Sequence, residues 1–158
     1  MRIFLDANLL FSGGKSSGAV RAYLVQLKSS GHTLVADGYV VGEARRNLEA
    51  KFPAAMKDFE ALIRDVEASA KVCGPLRTEV APDLPEKDRP VLAASIHHRC
   101  QILLTGDKTH FGSLYGRTID GVEIHSPASL AIKLGILEAP NSKQPDERSE
   151  LKFRKAGI

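Results

Sequence analysis

The chain opens on an apolar run, Ile3-Phe4-Leu5, that breaks at once into Asp6-Ala7-Asn8. In an extended segment Ile3 and Leu5 face one side and Phe4 the other. The run therefore predicts a strand covered on both faces, as at the centre of a parallel α/β sheet. Ser12-Gly-Gly-Lys-Ser-Ser-Gly reads as a flexible turn, with Ser16 or Ser17 capping the helix that follows. Val20, Tyr23, Leu24 and Leu27 recur at helical spacing and predict a helix over 19–28, ended by Gly31. A short strand is expected over 33–36, then a helix over 39–50 carrying Val40, Val41, Ala44 and Leu48. Phe52-Pro53 breaks that pattern, and Met56, Phe59, Leu62, Ile63 and Val66 mark a third, amphipathic helix. The remainder predicts a strand over 70–73, a proline-rich connection over 74–87, and a helix opening at Asp88-Arg89-Pro90. A strand over 101–105 then runs into Gly106-Asp107, followed by a strand over 121–125 and a helix from Ser126-Pro127 to Gly135.

Strands that alternate with helices imply a three-layer α/β/α sandwich with a mainly parallel central sheet, here of four or five strands. Residues 1–137 read as one domain. Residues 138–158 mix charges of both signs with few apolar residues and read as a flexible tail. At 158 residues and 43% hydrophobic composition, the chain is long and apolar enough to bury a real core. No run approaches the roughly 18 uninterrupted apolar residues of a membrane helix. The start has no basic region leading into an apolar stretch, so a cytoplasmic protein is expected. Cys73 and Cys100 lack metal or redox spacing and read as small buried residues. With 22 Lys and Arg against 19 Asp and Glu, the balance permits a polyanionic partner without requiring one.

The chemistry lies in four acids. Asp6 and Asp107 follow strands, and parallel strands bring their carboxyl ends to one edge, where ligands bind in open sheets. Asp88 opens the helix that leads into the 101–105 strand, and Glu43 lies early in the helix after the second strand. Each acid also has a plain reading as a helix cap or turn residue. Gathered in one cleft they would repel one another, and a hard divalent cation such as Mg2+ or Mn2+ would relieve that repulsion. Such a centre activates water and neutralises charge on a phosphodiester. Asn8 and Thr105 are placed to orient a carboxylate or a metal-bound water. Other chemistries fit less well. No glycine precedes Gly13 at the spacing of a nucleotide phosphate loop. A phosphatase of the haloacid dehalogenase type uses Asp-x-Asp, whereas Asn8 occupies the second acidic position. His97 and His98, being adjacent, point apart.

Phe4-Leu-Asp-Ala-Asn-Leu-Leu-Phe-Ser, Glu43 within Val40-Val-Gly-Glu-Ala-Arg-Arg-Asn-Leu, Lys87-Asp-Arg-Pro-Val-Leu-Ala-Ala-Ser and Leu103-Leu-Thr-Gly-Asp-Lys-Thr-His-Phe together resemble PIN-domain proteins. The resemblance is to the kind found as the toxin of VapC-like toxin–antitoxin pairs, and it covers about residues 1–135. It implies an Mg2+- or Mn2+-dependent endoribonuclease whose acids fall on Asp6, Glu43, Asp88 and Asp107. The polar helpers fall on Asn8 and Thr105. Asp83 or Glu86 offers an alternative register for Asp88. The resemblance further implies an antitoxin partner, a homodimer, and products with a 5′-phosphate and a 3′-hydroxyl. Lys15, Arg45, Arg46, Arg89, Lys108 and His110 are the candidate RNA contacts, placed to attract a phosphate backbone to the pocket. Aromatic residues make up 6% of the chain with no aromatic–basic alternation, so no stacking platform for a long single strand is expected. The alternative is a non-catalytic PIN-like module that binds RNA or a protein.

Overall fold

The computed structural model describes residues 1–72, 74 and 80–139. Six strands form one sheet: β1 (Arg2–Leu5), β2 (Thr33–Asp37), β3 (Glu67–Ser69), β4 (Ile102–Leu104), β5 (Thr118–Ile119) and β6 (Val122–His125). Their order across the sheet is β3-β2-β1-β4-β6-β5. Every neighbouring pair is parallel except the β5–β6 hairpin. The helices are α1 (Ala7–Lys15), α2 (Ala19–Ser29), α3 (Gly38–Lys51), α4 (Met56–Arg64), α5 (Arg89–His97), α6 (Lys108–Phe111) and α7 (Pro127–Lys133).

β1 sits third in the order, and Ile3, Phe4 and Leu5 are fully buried, as a doubly covered strand requires. The connections from β1 to β2 and from β2 to β3 step one way across the sheet. Those into β4 and on to β6 step the other way. Right-handed crossovers therefore set α1–α4 on one face and α5–α6 on the opposite face. α7 returns beside α2, where Pro127 and Ala131 share a groove with Ala19 and Tyr23. The reversal of direction falls between β1 and β4, and a crevice opens there at the carboxyl edge.

Three local expectations are corrected. Residues 12–15 are not a turn: α1 runs through Ser12, Gly13, Gly14 and Lys15. A Cβ on Gly14 would lie 2.7 Å from Phe59 Cδ2, and one on Gly13 would lie 3.1 Å from Leu24 Cδ1. The two glycines are thus the contact surface that lets α1 press onto α2 and α4. Gly18, not Ser16 or Ser17, stands at the start of α2, with no side-chain cap. The strand expected over 70–73 is β3, which lies earlier and pairs Glu67–Ser69 with Val35–Asp37. Cys73 lies outside the described residues, as does the expected tail from residue 140 onward. β5 was not expected. Asp120 and Gly121 both adopt positive φ (46° and 82°), and this Asp-Gly pair makes the tight hairpin turn between β5 and β6.

Candidate active site

Asp6 leaves the end of β1 and caps α1. Its Oδ1 accepts from the Ala7 N–H at 2.7 Å, and its Oδ2 accepts from Thr105 Oγ1 at 2.6 Å and Asn8 Nδ2 at 3.1 Å. Thr105 sits one residue past β4, the strand beside β1, so its hydroxyl reaches Asp6 across the crevice. The same hydroxyl oxygen accepts from the Asp107 N–H at 3.1 Å. Asn8 closes the stitch from the other side, its Oδ1 accepting from the Gly106 N–H at 3.0 Å. Asn8 and Thr105 thus bind the tips of β1 and β4 together around one carboxylate. Burial pushes the Asp6 carboxyl up to about 6. Hydrogen bonds from Thr105 and Ala7 oppose the rise, and the charges of Glu43 and Asp88 add to it.

Asp107 caps α6, with Oδ1 accepting from the His110 N–H at 3.1 Å and Oδ2 lying 2.7 Å from His110 Nδ1. Burial alone would raise its pKa. The backbone N–H and ring of His110 outweigh that and hold the carboxyl below its ordinary value. Asp88 ends a 3-10 turn (Glu86–Asp88) just before α5, and its side chain makes no cap hydrogen bond there. It turns instead toward His110, whose Nδ1 lies 3.3 Å from Asp88 Oδ2. That oxygen is buried and has no hydrogen bond. Burial first, and then the charge of Asp107, raise the Asp88 pKa, with His110 and Lys87 opposing. Asp83 and Glu86 are exposed and do not line the cleft, so Asp88 is the acid of this segment that the fold delivers.

Glu43 comes from α3. Tyr39, Glu43, Arg46 and Asn47 recur at helical spacing and line one wall of the cleft. Tyr39 also donates its hydroxyl to the Lys87 carbonyl at 3.1 Å, tying the start of α3 to the Asp88 turn. The resulting cleft, about 630 Å³, is lined by Asp6, Glu43, Asp88 and Asp107, with Asn8 at its floor and Arg46, Lys51 and Lys87 among its walls. Of the expected basic contacts, Arg46 lines it. Arg45 points away, its guanidinium bound to Glu60 Oε1 at 2.9 Å. Arg89 is turned to the Leu84 carbonyl at 3.1 Å. Lys108 is exposed at the start of α6, and Lys15 sits at the far end of α1, over the ring of Phe52. His110 belongs with the acids rather than at the rim.

The carboxylates of Asp88 and Asp107 suit a hard cation, whereas the imidazole of His110 suits a softer one. Asp88, Asp107 and His110 each offer a ligand atom, all within 4.8 Å of one another. A cation would also satisfy the unbonded Asp88 oxygen and relieve the charge on buried Asp6. His110 was expected as an RNA contact, not as the hydrogen-bond partner of Asp107 that it is. Its signal in the sequence is the Asp107-x-x-His110 spacing, one turn of helix. Lys87, Lys51 and Phe11 were also missed as cleft residues, because only the packing of α3 on α1 brings the last two there.

No protein-family model and no curated relative matches the sequence. Among solved structures, the fold matches VapBC2 of Rickettsia felis, crystallised with a DNA fragment from its promoter. That match has a TM-score of 0.60 and 14% identity, over 80% of this chain and 98% of the other. It also matches VapC20 of Mycobacterium tuberculosis, a toxin that cleaves the sarcin–ricin loop, with a TM-score of 0.52 and 15% identity, over 74% of this chain and 98% of the other. The chain therefore has the VapC-like PIN-domain fold.

Proposed function

We propose that the protein is a metal-dependent endoribonuclease and the toxin of a toxin–antitoxin pair. The observation that carries this reading is the meeting of Asp6, Glu43, Asp88 and Asp107 in one cleft at the sheet's switch point, with a buried Asp88 oxygen left without a hydrogen bond. The matched fold and the RNA-cleaving activity named for VapC20 support it. Asp88 and Asp107 would hold an Mg2+ or Mn2+ ion, with Asp6 held in place beside them by Asn8 and Thr105. A divalent ion supplies charge neutralisation at the scissile phosphate and lowers the pKa of water. Glu43, on the opposite wall, orients the attacking water. Arg46, Lys51 and Lys87 draw the phosphate backbone into the cleft. Water adds to phosphorus as the P–O3′ bond breaks, and the departing oxygen takes up a proton. The products are a 5′-phosphate and a 3′-hydroxyl. The partners in this reading are an antitoxin protein, by likeness to the VapBC2 pair, and a second copy of the chain. The activity belongs in the cytoplasm, where the RNA is; no helix among the described residues is long and apolar enough to cross a membrane.

The test is cleavage of a mixed RNA pool by wild type and Asp6→Asn, purified identically, with Mg2+, Mn2+ or EDTA. Cleavage by wild type alone, lost in EDTA and lowered at least about a hundredfold in the variant, is expected. Equal cleavage by both proteins would remove Asp6 from the mechanism. Tight RNA binding without metal-dependent cleavage would favour the non-catalytic module.

A further inference from the structure

Phe11 and Phe52 lie far apart in the sequence, one within α1 and the other ending α3. The fold sets their rings 5.9 Å apart with a 59° tilt. Lys15 Nζ stands 5.1 Å over the Phe52 ring, and Lys51 Nζ stands 5.9 Å over the Phe11 ring. Phe11 and Lys51 are part of the wall of the acidic cleft, so the cluster begins at its mouth and extends outward through Phe52 and Lys15.

Core packing accounts for Phe11, which lies against the core, but not for Phe52. Phe4, Phe59 and Phe111 are fully buried, as ring side chains of a core are, whereas Phe52 is 41% exposed. Neither lysine has a carboxylate partner among the described residues, so both ammonium groups keep their donors for a ligand. Two rings and two unpaired cations beside a carboxylate cleft match the chemistry of a nucleotide, with a flat face for a ring and a phosphate for each ammonium.

We propose that Phe11, Phe52, Lys15 and Lys51 form a subsite for one unpaired nucleotide of the RNA, next to the bond that is cleaved. The proposal rests on the ribonuclease reading. The base stacks on Phe52, in the place that the Lys15 ammonium takes in the free protein, while Lys15 and Lys51 move onto the flanking phosphates. Phe52 carries no hydrogen-bonding group to read a base edge, so the subsite selects unpaired over paired RNA without choosing the base. Within a duplex each base is stacked on both sides, so an internal base offers no face to the ring.

The test uses a property of the sequence: it contains no tryptophan. In an Asp6→Asn background, which leaves the RNA intact, Phe52→Trp places a single reporter in the subsite. The probes are a short single-stranded oligoribonucleotide and the same strand annealed to its complement, with Mn2+ present. We expect the single strand to quench Trp emission and the duplex to leave it unchanged. In the same background, Phe52→Leu should weaken single-strand binding by about 5- to 150-fold with little effect on the duplex, and Phe52→Tyr should keep it. Because Phe52 is partly exposed, these variants leave the core intact, which equal melting temperatures would show. Unmoved Trp emission, or a Phe52→Leu protein that binds the single strand as tightly as its parent, overturns the subsite and leaves the patch to a protein partner. Cleavage separates the two readings. With Asp6 intact, Phe52→Leu that cuts single-stranded RNA as wild type does sinks the subsite alone. Wild type that neither binds nor cuts RNA sinks the ribonuclease reading and the subsite with it.

Discussion

Asn8 holds three groups at once. Its Nδ2 donates to Asp6 Oδ2 at 3.1 Å and to Thr105 Oγ1 at 3.3 Å, and its Oδ1 accepts from the Gly106 N–H at 3.0 Å. Side chains that orient a charged ligand act on the site far more than on the fold. Asn8 is half-buried, so water can replace part of what it loses. Asn8→Ala is therefore expected to lower metal-dependent cleavage by about 10- to 100-fold. It should lower stability by only about 1 kcal/mol. Single-turnover cleavage beside a urea melt would check both. A local partner was expected for Asn8 and missed for His110, although both partners lie close along the chain. Asn8 lies two residues from Asp6, and His110 lies one turn from Asp107. Arg45 misleads because its partner, Glu60, is on another helix.

Among the elements, α1 departs most from its local propensity. Two adjacent glycines predict a turn, since each costs a helix about 1 kcal/mol relative to Ala. The helix persists because Gly14 lies where any Cβ would be 2.7 Å from Phe59 and 3.2 Å from Leu48. Gly14→Ala improves propensity but drives a methyl into the buried Phe59 ring. Overpacking of that kind outweighs the gain, and a net loss of about 1–2 kcal/mol is expected. Phe59→Leu in the same protein should restore part of it, and chemical denaturation of the single and double variants would show the coupling. An unchanged or higher stability for Gly14→Ala would mean that α1 can shift freely. Propensity could not find this helix, because the contact that makes it belongs to α4, about 45 residues further along the chain.

The whole molecule carries a conflict between its fold and its site. Asp6 has an ordinary pKa near 3.8 when unfolded and about 6 when folded. The folded state therefore binds more protons across that window, and stability from this group falls as pH rises through it. In EDTA, wild type should lose on the order of 2 kcal/mol relative to Asp6→Asn between about pH 4 and pH 7. Mn2+ should offset the loss, with a larger rise in melting temperature at about pH 7 than at about pH 5, where protons compete for the carboxylates. A metal-induced rise of equal size at both pH values, or one that Asp6→Asn leaves whole, would place the ion elsewhere.

The sequence by itself determined where most strands and helices run, because apolar periodicity is a property of neighbours along the chain. It also showed that the strands leading to Asp6 and Asp107 run into acids and that one helix opens on Asp88, since strand tips and helix starts are local too. The tertiary structure decided the rest. The order β3-β2-β1-β4-β6-β5 puts the tips of β1 and β4 side by side. Only that order lets the Thr105 hydroxyl reach Asp6, turns Asp88 toward His110, and aims the Glu43 face of α3 across the gap. The same packing turns Arg45 outward and brings Phe11 to Phe52. Which charges and rings share a cleft depends on strand order and helix packing, and both are set by burial between segments that the linear pattern does not pair.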